Sequence, residues 1–170
     1  MSAMAHRGHT RQSVLSTDSW ITPRWLLERM GPFDMDPCAA DPQPWPTAKR
    51  MINEKEDGLL CKWSGFVWCN PPYGKNLGVW LNRMALHNNG IALVFARTDT
   101  MAFHRDVFPF ASALLFLRGR LVFSTPEGDP PAFTSGGPSV LIGYGSEAWR
   151  RLSQCRDIGA LCVPCQKVKS

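Results

Sequence analysis

The sequence lacks any apolar run approaching the length of a membrane span. Its N-terminus has no apolar core of the kind a signal peptide needs. Both absences predict a cytoplasmic protein with no membrane partner. No internal repeat and no low-complexity tract occurs, which excludes solenoids and fibrous arrays. The six cysteines (38, 61, 69, 155, 162 and 165) show no disulfide-scaffold spacing, so reduced thiols are expected. Cys162-Val163-Pro164-Cys165, with Cys155 nearby, has the local spacing of half a zinc site. No second Cys/His pair at finger spacing follows it, and no metal is expected.

What is present is enough apolar material for one core: 44% of 170 residues are hydrophobic. A chain of this length predicts one domain, placed at residues 18–170. Residues 1–17 are polar, carry His6, Arg7, His9 and Arg11, and read as a basic arm. A net charge of +5 and a pI near 9.1 suit a polyanionic partner.

The chain is organised around Asn70-Pro71-Pro72-Tyr73. The apolar run Gly65-Phe66-Val67-Trp68-Cys69 before it reads as a buried strand. Asn70 therefore stands at a strand's carboxyl edge, where open α/β sheets place their ligands. Two prolines fix two φ angles and remove two N–H donors, so the turn is stiff. A planar base can stack on the Tyr73 ring while its exocyclic amine meets the Asn70 side-chain oxygen and the Pro71 carbonyl.

Around this turn the pattern is α/β. Thr22-Pro23 opens a helix with Trp25, Leu26 and Met30 on its apolar face, Thr22 as N-cap and Pro23 as first helical residue; Gly31 ends it. Phe33 to Asp36 is a short strand, stopped by Asp36-Pro37 and followed by the small residues Cys38, Ala39 and Ala40. A carboxylate beside small side chains suits a nucleoside, although no G-x-G follows this strand. Lys49 to Asn53 reads as a second strand, and Asp57-Gly58 as a turn. Leu77 to His87 has helical spacing and Ile91 to Ala96 is a continuous apolar strand, together a βαβ unit. Arg97 then sits at another carboxyl end, with Thr98 or Asp99 capping a helix to about Phe108. Ala113 to Leu117 and Leu121 to Phe123 read as a hairpin turning at Arg118-Gly119-Arg120. Ser124 to Pro138 is a long Pro/Gly/Ser loop, Ser139 to Tyr144 a last strand, and Glu147 to Gln154 a helix.

In order and spacing, residues 18 to 144 resemble the small phage and prophage DNA N6-adenine methyltransferases, whose relatives include restriction-modification enzymes. The resemblance is carried by Trp20-Ile21-Thr22-Pro23, Phe33-Asp34-Met35-Asp36-Pro37-Cys38-Ala39, Asp57-Gly58-Leu59 and Trp63-Ser64-Gly65. Asn70-Pro71-Pro72-Tyr73, Arg97-Thr98-Asp99-Thr100 and Gly119-Arg120-Leu121-Val122-Phe123 complete it. It implies a single doubly wound, mostly parallel sheet of the class I S-adenosylmethionine-dependent methyltransferase type, with an antiparallel C-terminal strand. It implies S-adenosylmethionine as cofactor and DNA as partner. Asn70, Pro71, Pro72 and Tyr73 would be the catalytic group. Thr22, Pro23, Asp36, Cys38, Ala39, Asp57, Leu59 and Asn70 would bind the cofactor, Asp57 and Leu59 at its adenine. Asp41 and Glu54 are both candidates for its ribose. Lys75, Arg97, Arg118 and Arg120 are candidate DNA contacts. The same motif suits cytosine N4, an RNA base or a protein glutamine. A zinc-stabilised nucleic-acid-binding module is the reading of a different class.

Overall fold

The structure is a computed structural model that describes residues 20–125 and 135–165. The basic arm and most of the 124–138 loop lie outside the described residues. One seven-stranded sheet forms the centre, in the order β2-β1-β3-β4-β6-β5-β7. Its strands are β1 (Met35–Asp36), β2 (Arg50–Met51), β3 (Val67–Cys69), β4 (Gly90–Phe95), β5 (Ala113–Leu117), β6 (Ser139–Tyr144) and β7 (Gly159–Cys162). β2, β1, β3 and β4 pair in parallel. β6 runs antiparallel between β4 and β5, and β7 antiparallel on the far side of β5. Five strands thus point one way and their carboxyl ends share one edge.

Helices cover both faces. Along β4, Ala92 and Val94 face one side, while Ile91 and Leu93 face the other. The first side packs on α2 (Leu77–His87) through Trp80, Leu81 and Met84. The second packs on α1 (Arg24–Met30) through Leu26, Leu27 and Met30, and on α3 (Ser146–Ser153) through Ala148 and Leu152. β4 reads as a continuous apolar run because it is covered on both sides. The β3–α2–β4 unit is the parallel crossover that the periodicity predicts. α2 closes on Asn88 in the left-handed region at φ 51°.

Several local expectations change. Pro23 is the N-cap of α1, not its first helical residue, because its ψ of 137° is extended. Thr22 makes no cap; its hydroxyl is engaged elsewhere, as described below. Trp25 is 49% exposed, and Leu27 takes the place expected for it in the core. Leu121 to Phe123 forms no hairpin with β5, since both edges of β5 are already filled by β6 and β7. The sequence pattern does not predict β7, because Gly159-Ala160-Leu161-Cys162 is too short to stand out, and Ser139 to Tyr144 is therefore not the last strand. After Arg97 the chain makes a π-helical turn, Phe103–Val107, without a side-chain cap from Thr98 or Asp99. In this turn Asp106 is wholly buried, accepting hydrogen bonds from Asn82 of α2 at 3.0 Å and from Arg105.

Candidate active site

The strand order reverses between β1 and β3. The chain leaves β1 for β2 on one side and returns to β3 on the other. That switch point opens a crevice at the carboxyl edge, where open α/β sheets bind ligands. A cleft of about 780 Å³ occupies it. The end of β1 and the segment after it supply Asp36 to Asp41, the segment after β3 supplies Asn70, Pro71 and Pro72, and Trp20, Thr22 and Asp57 to Leu59 close the sides.

Asn70 is held in the cleft by two hydrogen bonds. Its amide nitrogen donates to the Trp20 carbonyl at 2.6 Å and to the Thr22 hydroxyl at 3.2 Å. A carbonyl can only accept, so the nitrogen faces Trp20 and the amide oxygen faces the other way. That oxygen, Oδ1, is buried and has no hydrogen-bond partner among the described residues. Buried acceptors are normally satisfied, so the exception marks a place for a donor. Gln43 Nε2 and Trp68 Nε1 are also buried and unpartnered among the described residues, and both residues line the cleft.

Tyr73 is half-buried and stacks on Phe95 of β4, ring centroids 4.3 Å apart at 15°. Burial raises its hydroxyl well above the usual phenol range, so it stays protonated. Pro72 is exposed at the turn and Pro71 buried beneath it.

Asp36 is 2% exposed. It accepts hydrogen bonds from the Thr47 hydroxyl at 2.5 Å and the Cys38 backbone N–H at 3.0 Å. Burial pushes its carboxyl up to about 6, against the pull of those two donors. The Cys38 thiol is likewise pushed up by burial, beside Cys69 at 3.6 Å. Asp57 holds a left-handed φ of 51° and its carboxylate accepts from the Leu59 N–H at 3.1 Å. Gly58 lies so close to the end of β1 that a Cβ there would stand 1.7 Å from the Pro37 carbonyl. This contact ties the Asp57-Gly58-Leu59 loop to the Asp36 strand end.

The fold thus gathers Thr22, Asp36, Cys38, Ala39, Asp57, Leu59, Asn70, Pro71 and Pro72 around one cleft. Pro23 does not line it. Sequence reasoning missed Trp20, Gln43, Thr47 and Trp68, which carry no local signal because tertiary packing alone turns them inward. Of the two acidic candidates, Asp41 is engaged by Lys55 at 3.0 Å and Asn53 at 3.4 Å. Glu54 lines the cleft in the turn after β2, its carboxylate without a hydrogen-bond partner among the described residues.

The basic candidates stand outside the cleft, all exposed. Lys75 follows the Asn70 turn, Arg97 follows β4 and Arg118 follows β5, so all three lie toward the carboxyl edge. Arg120 reaches the Ser135 carbonyl at 3.5 Å. Cys155 is buried under α1 and α3, whereas Cys162 and Cys165 are exposed. No cluster of three or more candidate metal ligands forms among the described residues, and no helix among them is long and apolar enough to cross a membrane.

A family model described as DNA N-6-adenine-methyltransferase (Dam) matches residues 8–143. No curated protein and no solved structure is matched.

Proposed function

The chain belongs to the DNA N-6-adenine-methyltransferase family, and from that premise we propose that it methylates the N6 amine of adenine in DNA with S-adenosylmethionine. The sheet is then a doubly wound sheet of the class I methyltransferase type, with residues 18–170 as the catalytic domain and 1–17 as an arm toward DNA. The observation that carries this reading is the Asn70 amide, with its nitrogen tied down and its buried oxygen left without a donor.

The cleft fits the cofactor on its own chemistry. Its size suits a nucleoside with an amino-acid tail, and small side chains at Cys38, Ala39 and Ala40 allow close approach. Unpartnered donors on Gln43 and Trp68 await acceptors. Thr22 would hold the amino-acid end, Asp36 and Glu54 the sugar hydroxyls and Asp57 the adenine amine, and Leu59 would pack on that ring. When bound, S-adenosylmethionine supplies an electrophilic methyl group on a sulfonium.

The residues of the chain act on the target base. Its N6 lone pair is delocalised into the purine ring and is a poor nucleophile. Asn70 Oδ1 and the Pro71 carbonyl accept the two N6 hydrogens, which pulls the nitrogen toward tetrahedral geometry and frees the lone pair for in-line attack. Tyr73, braced by Phe95, holds the base face. Trp20 and Thr22 act through Asn70 as positioning residues. Such preorganised acceptors need no reorganisation during the reaction. No general base is required before transfer, because the N6 proton leaves to water afterwards. The target reaches this turn only outside the duplex stack.

Transfer of a tritiated methyl group to DNA, RNA and protein in parallel, followed by nucleoside mass spectrometry, tests the reading. N6-methyladenine in DNA is expected. Label in N4-methylcytosine, RNA or glutamine alone overturns it.

A further inference from the structure

A second cavity, of about 350 Å³, lies where the chain leaves β5. Its walls include Trp25 of α1, Leu117, Arg118, Arg120, Val122 and Ile158. It is too small for a second cofactor of the size the cleft admits, but stands at the lower end of ligand cavities, about 300–1,000 Å³. Trp25 is 49% exposed and Val122 41% exposed. The Arg118 side chain makes no hydrogen bond or ion pair with any described residue, and Arg120 makes only its long contact to Ser135. The one acid on the wall, Asp157, is paired with Arg29. An exposed indole beside two cations with little to hold is the arrangement that takes a base on its face and a phosphate at its edge.

Its place relative to Asn70 is close. Thr22, whose hydroxyl meets the Asn70 amide, precedes Trp25 by three residues, so their Cα atoms are within about 11 Å. β5 stands three strand positions from β3 along the same edge, about 14 Å at the usual spacing. Those are the spans of one to three nucleotides of an extended strand.

We propose that this cavity takes a nucleotide flanking the target adenine on the same DNA strand, with its base stacked on Trp25 and its phosphate between Arg118 and Arg120. The inference rests on the DNA reading above and adds a second grip on the strand. Binding energy collected there holds the strand in register while the target base is out of the stack.

The test uses the full chain and oligonucleotides built around an adenine that the wild-type protein methylates. Each flanking position is replaced in turn by an abasic site, and affinity is read by fluorescence anisotropy. The wild type should lose about five- to tenfold at one position within three nucleotides of the target, the low end of base–aromatic stacking losses. Trp25→Ala should lose a similar factor on intact DNA and become insensitive to that abasic site, while Trp25→Phe retains most of the effect. Affinity for S-adenosylmethionine should be unchanged in both variants, which shows that they fold. A wild type that methylates DNA but is insensitive to every abasic position overturns the second site alone. So does a Trp25→Ala protein that keeps the wild-type profile. Absence of methyl transfer to any DNA instead overturns the functional reading on which this one stands.

Discussion

Asn70 shows how a single amide is given a direction. Trp20 and Thr22 together occupy its nitrogen, which leaves its oxygen turned away from both and open to a donor. Asn70→Ala should therefore lower turnover on the order of a hundredfold or more. The fold should survive, since the residue sits on a turn and not in the core; retention of most of the methyl-transfer rate would refute the assigned role. Tyr73→Phe separates ring from hydroxyl. The Tyr73 oxygen is buried without a partner among the described residues, so the variant should keep both activity and stability, and a large loss of rate would mean that the hydroxyl acts in the chemistry.

Asp36 makes a prediction about pH. Its folded-state value of about 6 lies above the ordinary 3.8. Between these two values the native protein holds a proton that the unfolded chain has released. Stability should then fall as pH rises from about 4 to about 6 and level off above. The two-unit displacement corresponds to about 3 kcal/mol. Glu147 acts in the opposite sense: Arg150 and Arg151 hold its carboxyl at about 2, so its contribution is lost as pH falls below the ordinary 4.5. Melting temperatures of the wild type and Asp36→Asn across pH 3 to 8 separate the two. The variant should lose the downward slope between about 4 and 6; an unchanged slope would assign it to another group.

At the scale of elements, the site is built by contacts between strand ends and loops. Gly58 is the clearest case, because its backbone touches Pro37 at the end of β1. Gly58→Ala must push the Asp57–Leu59 loop away from Asp36, at a cost of about 1–3 kcal/mol by analogy with overpacked cores. Calorimetry should show a lower melting temperature together with weaker binding of S-adenosylmethionine. Full cofactor affinity in this variant would place the adenine elsewhere. The Phe103–Val107 turn is a second device of this kind: its buried Asp106 ties it to Asn82 of α2, the helix that follows the Asn70 turn.

For the whole molecule, the direction of five strands determines which charges share an edge. Lys75, Arg97 and Arg118 follow strand ends that all point toward the Asn70 side. Each cation that contacts a phosphate contributes about one unit to the salt slope of binding. Replacing Arg118 and Arg120 together with Ala should therefore weaken DNA binding and flatten its salt dependence by up to about two units. Cofactor affinity should barely change. A double variant that follows the wild-type curve across a salt series would make this turn a solvated one.

By itself the sequence determined the motif turn, the β3–α2–β4 unit and most of the cleft. Gly65 to Cys69, Pro71-Pro72 and the periodicity of Leu77 to His87 are local signals, written in neighbouring residues. Asp36 beside its small residues and Asp57 in its turn both line the cleft, although 20 residues separate them. Only the tertiary structure decided what depends on distant partners. Thr22 looked like a helix cap and instead meets Asn70, 48 residues away. Leu121 to Phe123 has the composition of a strand, but β6 and β7 had already filled both edges of β5. Gln43 and Trp68 carry no local mark of a ligand site, because an unsatisfied polar atom exists only after the surrounding chain has closed over it and failed to supply a partner.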